Sequence, residues 1–195
     1  MIFPIVPMPT TLTPTLWTTS DLELFPDDDK RYEIIAGELL VTRAPHWRHQ
    51  KLCTRLGGAL DAWSIATGLG EAVINPGVIF SETDAVIPDL VWVAQGRLGD
   101  ILDESGHLTA APDLVVEVLS GGKADQRRDR ELKLKLYGSR GVREYWIVDP
   151  QIPQVEAYRR DDRATLVRTM TLFAEDTLTS PLLPDFSYGL IKLFG

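Results

Sequence analysis

The stretch from Pro112 to Pro150 limits the fold more than any other part of the chain. It reads PDLVVEVLS, then GGKADQRRDRELKLKLYGSRG, then VREYWIVDP. The first and last pieces are apolar and of strand length, and the middle piece is charged and of helix length. A strand–helix–strand unit crosses over right-handed, so the strands at 113–119 and 144–149 are expected to be parallel. The first strand carries one acid, Glu117, within Leu114, Val115, Val116, Val118 and Leu119. A carboxylate there is costly unless it is paired or holds a metal.

The remaining segments fit around that unit. Residues 1–19 are rich in Pro and Thr, without periodicity, and read as an extended arm. Ser20 and Glu23 have capping-box spacing. RYEIIAGELLVTR reads as a hairpin turning at Ala36-Gly37, with Glu33 in its first strand. Pro45 to Thr67 reads as a long helix, with Leu52, Leu56, Leu60 and Trp63 at helical spacing and Gly68 as its stop. EAVINPGVIF gives two short strands around Asn75-Pro76-Gly77. VIPDLVWVA is a strand with Pro88 and Asp89 at its beginning, and GDILDES holds a helical turn. QVEAYRR and ATLVRTM form a second hairpin, and the tail ends in an apolar segment that packs on the body. The fold class expected is mixed α/β, a central sheet flanked by helices without regular doubly wound alternation.

The chain has 195 residues, 44% of them hydrophobic and 25% charged. That suits one domain, expected over residues 20–195, with a real core. A single cysteine, Cys53, excludes an intramolecular disulfide framework and reads as a small core residue. The N-terminus lacks a basic n-region and is broken by prolines, and no stretch has the length of a membrane span, so a cytoplasmic location is expected. The net charge of −8 argues against strong non-specific nucleic-acid binding but leaves room for a local basic patch.

No GxGxxG, Walker loop, GxSxG, HExxH or CxxC is present. With one cysteine, a cysteine-based structural zinc site is excluded. The acids in apolar strands, Glu33, Asp89 and Glu117, carry the remaining chemistry. Neighbouring strands lie about 5 Å apart, which suits carboxylates sharing a Mg²⁺. Each has a structural alternative: an ion pair for Glu117, a strand-start turn for Asp89, a hairpin acid for Glu33. Asp113 rivals Asp89. In the central helix, Asp129 with Lys133 and Glu131 with Lys135 have i,i+4 spacing and can form a solvated charged face. Asp129, Lys133 and Tyr137 also share a stripe beside Leu132 and Leu136, from which Lys133 can reach an acidic site. His49 and Arg48, next to His46 and Trp47, are weaker candidates for a phosphate or substrate contact.

RYEIIAGELL, RHQ opening a long helix, IPDLVWV, PDLVVEVLS and RDRELKLKLYGSRGVREYWIVDP followed by VEAYR together resemble the Uma-type restriction-endonuclease family, once a domain of unknown function, of the PD-(D/E)XK nuclease superfamily. The resemblance covers roughly residues 20–190. It implies a restriction-endonuclease-like core, Asp89 and Glu117 as the two motif acids and Glu33 as an additional acid. The superfamily lysine two positions after the second acid is Leu119 here, and similar proteins have a lysine in the next helix, which corresponds to Lys133. Ala36-Gly37 stands where the family often has Asp-Gly, and Ser120-Gly121-Gly122 where it tends to have Ser-Pro-Ser. The expected function is Mg²⁺- or Mn²⁺-dependent hydrolysis of DNA phosphodiester bonds, with DNA as partner and a homodimer as one assembly. The metal ligands would be Asp89, Glu117 and Glu33. The alternative is a catalytically degenerate nuclease-fold module that binds nucleic acid or protein without cleaving.

Overall fold

The computed structural model describes residues 15–26, 28–122 and 126–195. Most of the expected arm lies outside the described residues. Its last part meets the first hairpin, where the Trp17 N–H donates to the Gly37 carbonyl at 2.8 Å. The Trp17 ring lies against Phe25, which stacks on Tyr32 with centroids 4.6 Å apart. Helix α1 (Thr19–Leu22) follows. Thr18, not Ser20, caps it: the Asp21 carboxylate accepts the Thr18 N–H at 2.7 Å and its hydroxyl at 2.8 Å. The capping spacing is the expected one, but it begins two residues earlier.

The hairpin is β1 (Arg31–Ile35) and β2 (Glu38–Thr42), followed by helix α2 (Trp47–Thr67). Gly68 ends α2 in the left-handed conformation, φ 67°, which glycine adopts without a Cβ penalty. Then come β3 (Gly70–Ile74), β4 (Val78–Ser81), β5 (Asp84–Val86) and β6 (Leu90–Ala94). Helix α3 (Gln95–Ile101) extends the helical turn expected in GDILDES toward its N-terminal side. Strand β7 (Leu114–Val118) leads to a π-helical turn (Arg128–Lys133), which runs into helix α4 (Leu134–Arg140) and strand β8 (Glu144–Asp149). The second hairpin is β9 (Gln154–Arg160) and β10 (Leu166–Phe173). Strands β11 (Thr177–Ser180) and β12 (Leu183–Gly189) and helix α5 (Leu190–Phe194) close the chain.

Six strands form the central sheet in the order β10-β9-β8-β7-β6-β3, and four form a second sheet in the order β2-β1-β5-β4. β7 and β8 are parallel, as the crossover requires, and the other pairings of the central sheet are antiparallel. Two expected units are divided. β3 and β4 do not pair with each other; β3 joins β6 and β4 joins β5. The segment around Pro88 is two strands, β5 in one sheet and β6 in the other. Pro88 has no N–H to give a ladder, so the chain changes sheets there.

β7 is buried on both faces. Leu114, Val116 and Val118 pack with Leu52, Leu56 and Leu60 of α2 and with the C-terminal Phe186, Leu190 and Leu193. Val115 and Leu119 pack on the other side with Leu136 and Tyr137 of α4 and with Ile35 and Val86 of the second sheet. Cys53 is a buried free thiol in the first cluster. Strand alternation puts Glu117 on the face it shares with Val115 and Leu119.

Candidate active site

The carboxyl ends of the parallel strands β7 and β8 open into a cleft of about 570 Å³. Open α/β sheets generally place their ligands at such strand ends. Its walls are the start of β1, the loop from β2 into α2, the residue before β6 and the π-helical turn.

Glu117 is 3% exposed. Its Oε1 accepts from Lys133 Nζ at 2.9 Å and from the Tyr137 hydroxyl at 2.7 Å. Lys133 Nζ also lies 3.0 Å from Glu33 Oε1, so one ammonium bridges two acids from two sheets. Glu33 Oε1 in turn accepts the Ile87 N–H at 2.9 Å, holding the crossing at Pro88. The second turn of this helix therefore does reach the acids, even though position 119 carries no lysine.

Asp89 sits one residue before β6. The register pairs Leu90 with Val116, so continuing it one step sets Asp89 opposite Glu117. Its Oδ1 accepts from Arg31 at 2.9 Å and contacts His49 Nε2 at 3.1 Å, while Oδ2 accepts the Val118 N–H at 2.8 Å. Burial works to raise the Asp89 carboxyl, but His49, the Val118 amide and Arg31 outweigh it and bring it down to about 2. Glu117 goes the opposite way. Burial, with Asp89, Asp129 and Glu33 nearby, pushes it up to about 8 against the pull of Lys133. Burial alone would lower the Lys133 ammonium, yet Glu117, Glu33 and Asp129 hold it above its ordinary value. Two neighbouring acids with carboxyls driven apart are a common property of functional clefts.

Asp113, the rival of Asp89, lies at the other end of β7. It is fully buried and is bonded by Arg97 at 2.8 Å, Arg143 at 3.1 Å and the Ala94 N–H at 3.0 Å. Those partners hold the loop before β7 and give Asp113 a structural occupation. His49 is buried, with its Nε2 toward Asp89, and it touches the cleft from beneath. Arg48 is exposed on the cleft wall. The two expected i,i+4 pairs rearrange: Glu131 pairs with Arg127 at 2.9 Å, and Arg128 bonds Asp129 at 3.2 Å.

Asp129 is the buried acid of the cleft that sequence reasoning treated only as a helix-face partner. It is 2% exposed and lines the cleft beside Lys133. The stripe Asp129–Lys133–Tyr137 was the signal available for it. The Tyr145 hydroxyl donates to its main-chain carbonyl at 3.0 Å and anchors the π-helical turn on β8.

The acids offer oxygen donors only, which suits a hard divalent cation such as Mg²⁺. Among the described residues, the group of three whose ligand atoms all lie within 4.8 Å of one another is His49, Cys53 and Asp89. Burial pushes the Cys53 thiol well up, so without an ion beside it the thiol stays protonated. The cleft also differs in charge from the chain. Arg31, Arg43, Arg48, Arg128 and Lys133 line it against four acids, within a protein of net charge −8.

Residues 19–192 match the family Uma2, described as "Putative restriction endonuclease". No curated protein matches the chain. Among solved structures, the fold resembles a putative nuclease belonging to DUF820 from Anabaena variabilis. The TM-score is 0.72 and the identity 17%, with 91% of this chain and 97% of that one covered. At that identity the likeness establishes the fold, a mixed central sheet flanked by helices.

Proposed function

Since this chain belongs to the Uma2 family of restriction-endonuclease-like proteins, we propose that it is a metal-dependent phosphodiesterase acting on DNA. The observation that carries this reading is the Lys133 ammonium, 2.9 Å from Glu117 and 3.0 Å from Glu33 at the mouth of the two parallel strands. Asp89, Glu117 and Glu33 would hold the ion. When bound, a Mg²⁺ or Mn²⁺ polarises the phosphate and lowers the pKa of a water molecule.

The chain's own groups supply the rest. Arg31, His49 and the Val118 amide fix Asp89 as an anion in one orientation. The Tyr137 hydroxyl holds one oxygen of Glu117. Lys133 orients the attacking water or steadies charge developing on the phosphate. Arg43 and Arg48 face the cleft from its outer wall, where backbone phosphates would run. The test is plasmid cleavage in Mg²⁺ or Mn²⁺. Glu117→Gln and Lys133→Met should each lose on the order of 10²-fold or more in rate. Equal activity in Glu117→Gln and wild type removes Glu117 from the mechanism.

A second reading, a nuclease-fold module that binds without cleaving, is favoured by a separate observation. Each proposed ligand acid already has a cation of the chain beside it: Lys133 on Glu33 and Glu117, and Arg31 on Asp89. Calorimetric titration with Mg²⁺ and Mn²⁺ separates the two readings. Saturable binding lost in Glu117→Gln supports the enzyme, and no binding at millimolar ion supports the module.

A further inference from the structure

Trp47 begins α2 and is 80% exposed. The other tryptophans have been withdrawn from water to a much greater degree. Trp92 and Trp146 are buried in the core, Trp17 is 37% exposed, and Trp63 donates its indole N–H to the Pro184 carbonyl at 3.0 Å. An indole left this open forgoes a large hydrophobic gain. Its location gives it a use. His46 and Arg48, the residues on either side, both line the cleft, as do Arg43 and the half-exposed Val41. Trp47 does not itself line the cleft; it stands beside a wall of cationic and aliphatic groups. Cations with an exposed aromatic next to them are what surfaces that track a phosphate backbone and stack its bases use.

An indole can stack only on a base whose face is free. Inside a double helix both faces of each base are covered by neighbours. In a single strand, a loop, an end or a flipped nucleotide a face is open. We propose that Trp47 is a base-stacking site at the rim of the cleft, and that the DNA entering it has at least one unpaired base next to the phosphate held by Arg43 and Arg48. This inference rests on the nuclease reading for its ligand class. It makes Trp47 a specificity residue, outside the reacting atoms.

The test uses the full-length protein with Ca²⁺ in place of Mg²⁺, a short fluorescently labelled DNA strand, and the duplex of the same sequence. Trp47 lies on the surface, so Trp47→Ala is expected to fold, and Trp47→Phe keeps a smaller aromatic face. Single-stranded DNA should quench the wild-type indole emission. Trp47→Ala should weaken single-strand binding about tenfold and leave duplex binding unchanged, with Trp47→Phe in between. Equal single-strand affinity of wild type and Trp47→Ala overturns the proposal, as does unchanged emission at saturation or no binding of either DNA. Plasmid cleavage by the wild type, measured in parallel, decides the nuclease reading separately. Cleavage together with equal affinities removes the stacking site alone.

Discussion

At the residue scale, the cleft is built from a balance of buried charges. Lys133 offsets Glu33 and Glu117, and all three are nearly inaccessible. Above about pH 8, where Glu117 is ionised, removing the cation alone strands two buried carboxylates, so Lys133→Met should cost about 3–5 kcal/mol in urea unfolding there. The double variant Lys133→Met/Glu117→Gln should recover part of that loss, because a neutral amide needs no counter-charge. A double variant no more stable than Lys133→Met would contradict the pairing. Glu117 also ties stability to pH. Its carboxyl rises from 4.5 in the unfolded chain to about 8 in the fold, so the native state keeps that proton longer. Its contribution to stability is whole below 4.5 and is lost as pH rises through about 8. Glu117→Gln should flatten this fall when unfolding free energies are compared across the window. An identical pH profile in the variant would show that Glu117 does not titrate this way.

At the scale of elements, one short piece of irregular backbone positions the site and another strains the first hairpin. The π-helical turn Arg128–Lys133 carries two buried charges inward, Asp129 and Lys133. Such turns are frequent at functional sites. A charge pattern does not encode this turn, because α- and π-helical spacing differ by one residue per bond. The first hairpin turns at Ala36, φ 51°, and Gly37, φ 76°. Two positive φ values suit Asn-Gly or Asp-Gly, and alanine is strained in the first place. Ala36→Asn should therefore raise stability by about 0.5–1 kcal/mol, read as a higher urea midpoint with an unchanged slope. A lower midpoint would mean that the turn depends on the alanine. The Ala36 N–H donates to Asp84 Oδ1 at 2.8 Å, a bond that asparagine keeps.

At the scale of the whole molecule, an acidic protein presents a cleft in which cations slightly outnumber acids. If Arg43 and Arg48 contact phosphates, replacing both with serine should weaken DNA binding whatever the sequence. It should also reduce the slope of log affinity against log salt by about 2. A slope equal to that of the wild type would place the DNA elsewhere. Much of the architecture was legible from periodicity: the first hairpin, the long α2, the parallel pair β7 and β8 and the closing β9–β10 hairpin. What periodicity does not carry is which sheet a strand joins. β3 and β4 flank one turn yet pair in different sheets, and Pro88 divides one apolar run between both. The same limit applied to the acids. Asp89 and Asp113 look alike in sequence, each following a proline, and only the register sets Asp89 opposite Glu117 while Asp113 lies at the far end. Lys133 was legible as a member of a stripe bordering the apolar face, whereas its contact with Glu33 depends on the packing of one sheet against the other.

The most direct measurement is the anomalous scattering of crystals grown with Mn²⁺. A peak in the cleft bound by the carboxylates of Asp89 and Glu117 is expected. No peak there, with Lys133 still bridging Glu33 and Glu117, would contradict the metal-dependent reading.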